Sequence, residues 1–259
     1  MTTNVLDLVV GEIATDSQWS AENDKYIVFV DDVELDKISI FDEDTAFMFA
    51  GDGNLIQEWK NKIADESIFD DELNYGNDDI VIEVCVVDME SKEILAVKGG
   101  ESHGDIARFA GTGTYFAMPC WKQNSCAKTA VRTAIKNDKY SGGEVKYIEF
   151  DSRLNNIKNM KTISDVNREI HKRGTVMNRS NGTIIGKLND GVIVNLENTT
   201  SANDAQSFID DVVAGKIHVT APSPSMYAPW TEDEKAELSS ALKKIFAKKQ
   251  AKRGKMALI

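Results

Sequence analysis

The chain predicts an α+β fold, with antiparallel sheets inside and helices outside, on three observations. Short β-rich runs come in adjacent pairs joined by polar turns, helical periodicity begins only after several of them, and the order runs strands, helix, strands, helix, strand. Adjacent paired runs make hairpins, whereas a parallel fold would need a crossover between each pair.

The elements follow in order. Asn4 to Val10 is a β-rich run broken at Gly11-Glu12, and Ile13-Ala14-Thr15 resumes it. A hairpin there returns Asp16 to the neighbourhood of Thr2. Strands are expected within Lys25–Val33, over Lys37–Phe41 and over Thr45–Ala50, with Asp42-Glu43-Asp44 as the turn between the last two. Gly51-Asp52-Gly53-Asn54 then opens a helix carrying Leu55, Ile56, Trp59 and Ile63 on one face. That turn either holds an anion on free backbone N–H groups or is a tight turn with no ligand, the commoner case. Ile80–Val87 and Ile94–Val97 flank the polar turn Met89-Glu90-Ser91-Lys92. Arg108 to Thr114 reads as a second glycine turn, leading to a helix with Ala127, Ala130, Val131, Ala134 and Ile135 on one face. Asn137 to Gly143 ends that helix, and Glu144–Phe150 is rich in strand formers.

Composition narrows the class. The 259 residues are 42% hydrophobic and 28% charged, values of a globular chain long enough to bury a large core. No apolar run approaches the roughly 20 residues needed to span a bilayer, and the N-terminus lacks signal-peptide character, so a cytoplasmic protein is expected. A net charge of −12 disfavours nucleic acid as a partner. Charge is uneven: Asp65–Asp79 holds seven acids and no base, and Lys243–Lys255 holds seven bases and no acid. The first is read as a solvated loop, the second as a helix end. Cys85, Cys120 and Cys126 form no C-x-x-C pair, and His103, His171 and His218 lie far apart, so neither metal nor cofactor is expected. No phosphate loop of the Gly-x-x-x-x-Gly-Lys type is present.

Thr2 carries the chemistry. If Met1 is removed, Thr2 offers a hydroxyl and a free α-amine on one residue, a nucleophile with its own general base. Met-Thr-Thr is also an ordinary protein start, so the matching features downstream decide. The chain carries Thr2-Thr3, Thr15-Asp16-Ser17-Gln18, Lys37 fourteen positions before Gly51, Gly111-Thr112-Gly113, and Asp138-Lys139-Tyr140-Ser141-Gly142-Gly143, in that order. On these motifs residues 1 to about 150 resemble β-type subunits of the proteasome family, including the bacterial proteasome-like peptidase, with Gly111-Thr112-Gly113 answering to a Gly-Ser-Gly loop.

The resemblance implies an Ntn-hydrolase αββα sandwich with Thr2 as nucleophile. Lys37 would lower the pKa of its hydroxyl and keep the amine neutral, Asp16 would hold Lys37, and the Gly51 N–H would serve as oxyanion donor. Thr112, Asp138 and Ser141 would orient the amine. It implies a homo-oligomeric ring acting on unfolded polypeptide, with unfolding supplied by a separate ATP-driven partner. Two positions depart from the pattern: Thr112 replaces a serine, and Asp52 follows Gly51, where a carboxylate opposes a developing oxyanion unless it points away. Phe49 is read as a floor for the specificity pocket.

Beyond Asp151 the resemblance stops, and the proteasome-like domain is bounded at residue 155. Residues 156–221 are expected to form a C-terminal α/β extension: a helix over Ile163–Lys172, a hairpin turning at Asn189-Asp190-Gly191, a helix over Ser201–Val213 and a strand at Ile217–Val219. Residues 222–259 hold Pro222, Pro224 and Pro229 as a linker, then a helix opened by the capping box Thr231-Glu232-Asp233-Glu234. Two functions are consistent with this reading: a threonine endopeptidase subunit, or a catalytically inactive assembly or partner-binding relative.

Overall fold

The computed structural model describes residues 2–69, 72–77, 80–195 and 199–256, with the side chains of 195, 199–203 and 254–256 outside the description. Met1, Leu196 and four acids of the expected acidic loop (70, 71, 78 and 79) thus lie outside the described residues.

Strand β1 (Asn4–Asp7) and β2 (Glu12–Thr15) form the expected hairpin, in register from Asn4 opposite Thr15 to Asp7 opposite Glu12. Asp7 closes its turn by accepting from the N–H groups of Val9 and Val10 at 2.9 and 3.0 Å. This register places Asp16 against the start of the chain. Two further strands follow, β3 (Trp19–Glu22) and β4 (Tyr26–Val30), then β5 (Ile38–Phe41) and β6 (Thr45–Asp52). Helix α1 (Gly53–Ala64) starts where the Asp52 carboxylate accepts from the N–H groups of Asn54 and Leu55 at 2.8 and 3.0 Å. Its buried face is Leu55, Ile56, Trp59 and Ile63.

The chain continues through β7 (Ile82–Asp88), β8 (Glu93–Lys98), β9 (Glu101–His103) and β10 (Ala107–Ala110). The Arg108–Thr114 stretch expected as a turn is therefore half strand. Helices α2 (Thr114–Asn124) and α3 (Ala127–Asn137) follow. Sequence reading expected only the second, because Pro119 interrupts the helical pattern of the first. After β11 (Lys146–Glu149) come α4 (Ile163–Arg173), β12 (Thr175–Asn178), β13 (Ile184–Asn189), β14 (Val192–Asn195), α5 (Thr199–Val213), β15 (Thr220–Ala221) and α6 (Glu232–Met256). The expected strand at 217–219 is displaced to Thr220–Ala221.

The strands make two sheets, and the chain is α+β. One has the order β11-β2-β1-β10-β9; the other runs β14-β13-β12-β4-β3-β15-β6-β7-β8, with β5 also on β6. Three apolar clusters give the layers. Val5, Ala14 and Phe109 of the first sheet pack on Ala117, Trp121, Ala130 and Ala134 of α2 and α3. Leu6, Ile13, Met48, Cys85 and Ile148 fill the space between the sheets. Phe47, Phe49, Val84 and Val176 of the second sheet pack on Trp59, Ile170, Ile209 and Leu242 of the helices α1, α4, α5 and α6. Each large apolar side chain so buried is worth about 1.5–3 kcal/mol.

Residues 156–221 continue the second sheet of residues 1–155. β12 pairs along the free edge of β4, Thr175 opposite Phe29 through Asn178 opposite Tyr26. Helix α6 begins with the expected capping box, in which Thr231 N–H donates to Glu234 at 2.8 Å and Glu234 N–H donates to Thr231 Oγ1 at 3.2 Å. Its basic end folds back on the chain's own acids. Lys248 meets Asp88 at 2.8 Å, Lys249 meets Glu66 at 2.7 Å, and Lys252 meets Asp44. Among the described residues no helix is long and apolar enough to cross a membrane.

Candidate functional site

Thr2, Asp16 and Lys37 come from the start of β1, the end of β2 and the start of β5, and all three are at most 1% exposed. The Lys37 Nζ donates to Thr2 Oγ1 at 2.8 Å and to Asp16 Oδ1 at 2.8 Å. Thr2 Oγ1 donates to the same carboxylate oxygen at 2.8 Å. Asp16 is held by backbone as well: Thr3 N–H lies 2.9 Å from Oδ1, and Gly142 N–H lies 3.2 Å from Oδ2. Asp16 Oδ1 thus takes three donors, the Thr2 hydroxyl, the Thr3 N–H and the Lys37 ammonium, which fixes the carboxylate in place.

Burial pushes the Lys37 pKa below the usual lysine range, while Asp16 opposes the shift. The ammonium also lies 5.8 Å from the ring centre of Trp19. Its backbone is fixed from two sides, by Phe49 N–H donating to the Lys37 carbonyl at 2.8 Å and by neighbouring Asp36. Asp36 accepts from Lys158 N–H at 2.6 Å and donates its own N–H to Asn159 at 3.1 Å. The 156–221 segment thus supports the loop that presents Lys37. No sequence signal pointed to that, because the contacts join residues about 120 positions apart.

A second hydroxyl network lies alongside. Thr112 Oγ1 and Ser141 Oγ both donate to Asp138 Oδ2, at 3.1 and 2.8 Å. Ser141 Oγ also lies 2.6 Å from Thr3 Oγ1. Since the Ser141 proton is committed to Asp138, Thr3 is the donor in that pair. Of the seven site residues expected, Thr112, Asp138 and Ser141 therefore meet the chain start through Thr3, a residue the sequence reading left without a role. The two glycines of Gly111-Thr112-Gly113 allow this approach: a Cβ at Gly111 would strike the Thr2 carbonyl, and one at Gly113 would strike Thr3 Oγ1.

Gly51 is at the end of β6 with φ of +102°, and a Cβ there would strike the Val81 carbonyl. It stands opposite Ile82 on one side and Ala221 on the other. Asp52 points away from this position into the α1 cap, with His218 Nδ1 2.6 Å from its other oxygen. The Gly51–Asn54 turn is consequently closed without an anion: Asn54 and Leu55 N–H meet Asp52, and Gly53 N–H meets the Val219 carbonyl at 2.9 Å. Phe49, expected as a pocket floor, lies in the sheet–helix core against Phe47 and Trp59.

Two more acids lie near the site. Burial, with repulsion from Asp32 and Asp16, raises Asp31 to about 6. Burial raises Glu83 to about 7, against the opposing pull of Ser223 and Lys98. Beside Thr112 a cavity of about 800 Å³ opens, lined chiefly by Tyr115, Phe116, Met118, Pro119 and Pro224.

No protein-family model matches the chain, and no curated protein matches it. Among solved structures the chain is similar to the BPH of Thiobacillus denitrificans in complex with epoxomicin, with 15% identity and a TM-score of 0.41 over 57% of this chain and 97% of that one. It is also similar to the eukaryotic HslV of Trypanosoma brucei, with 17% identity and a TM-score of 0.28 over 51% of this chain and 99% of that one. At these scores neither likeness carries an argument about function.

Proposed function

We propose that the chain is an N-terminal threonine peptidase subunit of the Ntn-hydrolase class, acting on unfolded polypeptide through Thr2 once Met1 is removed. The observation that carries this reading is the closed triangle of Thr2 Oγ1, Lys37 Nζ and Asp16 Oδ1, each pair 2.8 Å apart and shielded from solvent. A threonine hydroxyl on a surface needs no buried ammonium, and a buried ammonium is costly enough that its position asks for a reason.

The chemistry follows from the geometry. Lys37 stabilises the alkoxide that Thr2 approaches as it attacks, and Asp16 compensates the Lys37 charge and fixes its direction. The Thr2 hydroxyl proton passes to the freed α-amine as the Oγ–C bond forms. The amine then gives that proton to the departing amide nitrogen as the C–N bond breaks, leaving an ester on Thr2 and a new peptide N-terminus. Water hydrolyses the ester and restores the hydroxyl. Gly51 N–H is assigned to the oxyanion, and Asp52, turned into the helix cap, does not oppose it. Asp138, Thr112 and Ser141 act as positioning residues through Thr3. Assembly into a homo-oligomeric ring, with an ATP-driven unfoldase as partner, belongs to the same proposal.

The test is hydrolysis of a permanently unfolded, carboxymethylated polypeptide by the purified protein, with size measured by light scattering. Cleavage that is lost in Thr2→Ala without loss of assembly supports the reading. An equal rate in Thr2→Ala, or assembly with no cleavage under any condition, favours the non-catalytic alternative.

A further inference from the structure

Among the described residues, β3 and β6 are joined in the second sheet through β15, which is two residues long. Thr220 stands opposite Ser20 of β3 and Asp52 of β6, and Ala221 stands opposite Gly51. On its other flank β6 pairs with β7 over its whole usable length, and β5 takes the same edge as β15 from Thr45 to Met48. The gap filled by β15 is therefore one strand wide, at the end of β6 next to Lys37 and Gly51.

The segment around β15 runs directly past the site. Val219 accepts from Gly53 N–H at 2.9 Å, Thr220 Oγ1 donates to the Ser20 carbonyl at 3.3 Å, and Ser223 Oγ accepts from Gly111 N–H at 3.4 Å. Gly111 is the residue whose missing Cβ makes room for Thr2. Thr220, Ala221 and Ser223 are each 5% exposed or less, and Thr2 is fully enclosed. A substrate carbonyl aimed at Gly51 would have to stand where Ala221 stands.

The main-chain ladder is short, although Val219 and Ala221 are buried in the apolar cluster of the second sheet. A two-residue strand adds few ladder bonds, and Pro222 directly after it has no N–H to extend them. It is linked to α5 through the turn at Gly215 and to α6 through residues 222–231, which include a 3₁₀ turn at Pro224–Tyr227. An extended polypeptide laid between β3 and β6 would receive the same main-chain bonds.

We propose that residues 219–223 are a built-in blocking strand, occupying the peptide slot beside Thr2, so that the site opens only when this segment leaves. The proposal rests on the reading of Thr2 as nucleophile, and the tests separate the two. The variant Thr220→Pro removes the N–H of the first of the two β15 residues. A peptide epoxyketone should modify Thr2 in this variant at least about ten-fold faster than in the wild type, since apparent reactivity scales with the open fraction. A fluorescein-labelled peptide copying residues 216–223 should bind Thr220→Pro at least about ten-fold more tightly than the wild type, by fluorescence anisotropy, because in the wild type only the open fraction accepts it.

Equal modification rates in the two proteins would overturn the proposal. If neither protein is modified, the peptidase reading fails; selective binding of the labelled peptide to Thr220→Pro then still supports the blocking strand, and no binding to either overturns it. Should Thr220→Pro not fold, hydrogen exchange on the wild type decides. Loss of protection at residues 219–221 on adding saturating labelled peptide supports the proposal, and unchanged protection overturns it.

Discussion

The Lys37 ammonium lies 2.8 Å from the Thr2 hydroxyl oxygen in a pocket closed to solvent, although the two residues are 35 positions apart. Their meeting depends on two independent pieces of folding: the β1–β2 hairpin that brings Asp16 to Thr2, and the β5–β6 pairing that carries Lys37 to Asp16.

Removing the lysine should separate catalysis from stability. Lys37→Met is expected to lower hydrolysis by on the order of 10²–10⁴ and to destabilise the fold by about 3–5 kcal/mol, because Asp16 is left buried without its cation. The double variant Lys37→Met/Asp16→Asn should regain most of the stability and none of the activity. Thermal denaturation alongside a peptide-cleavage assay reads both effects.

Thr3 is expected to matter although Thr2 is the proposed nucleophile. Thr3→Val removes the hydroxyl that donates to Ser141 and leaves the size unchanged, at a cost of roughly 1 kcal/mol in stability. Cleavage should fall, with kcat moving more than KM, and Thr3→Ser should restore it. Recovery of stability without recovery of kcat in Thr3→Ser would remove the positioning role.

Gly51→Ala should be damaging for a steric reason. The left-handed φ of +102° and the Val81 carbonyl leave no space for a Cβ, so a loss of more than about 1 kcal/mol is expected. Urea denaturation midpoints measure it.

Glu83 gives a pH dependence of known sign. Its pKa is about 7 when folded and near 4.3 when unfolded, so the folded state holds the extra proton between these values. Stability therefore falls as pH rises from about 4.5 to about 7, with the full cost of the buried charge present above that. Glu83→Gln carries no such charge. Its Tm should exceed that of the wild type at pH 8, and the difference should vanish by about pH 4.5.

The meeting of Thr2, Asp16 and Lys37 was easier to read from the sequence than the order of the sheet. Thr2, Asp16 and Lys37 were legible because the hairpin signal at Asn4–Thr15 is local and the motifs keep their spacing. β3 was not legible, since Trp19-Ser20-Ala21-Glu22 has little strand character and gains its pairing from β4 and β15. Nor was α2, whose pattern Pro119 breaks. The contacts of Asn159 and Lys158 with Asp36, and of residues 219–223 with β3 and β6, are long-range and leave no periodic trace. Thr3 was hidden by its neighbour: the motif marks the pair, and only the distance to Ser141 tells the two hydroxyls apart.

The most direct measurement is the intact mass of the protein before and after a peptide epoxyketone, a reagent that needs both the hydroxyl and the free amine of a terminal threonine. It is made on the wild type and on Thr220→Pro. The account predicts loss of Met1 and a single adduct in Thr220→Pro, absent when Thr2→Ala is added. Retention of Met1 with no adduct on either protein would contradict the peptidase reading.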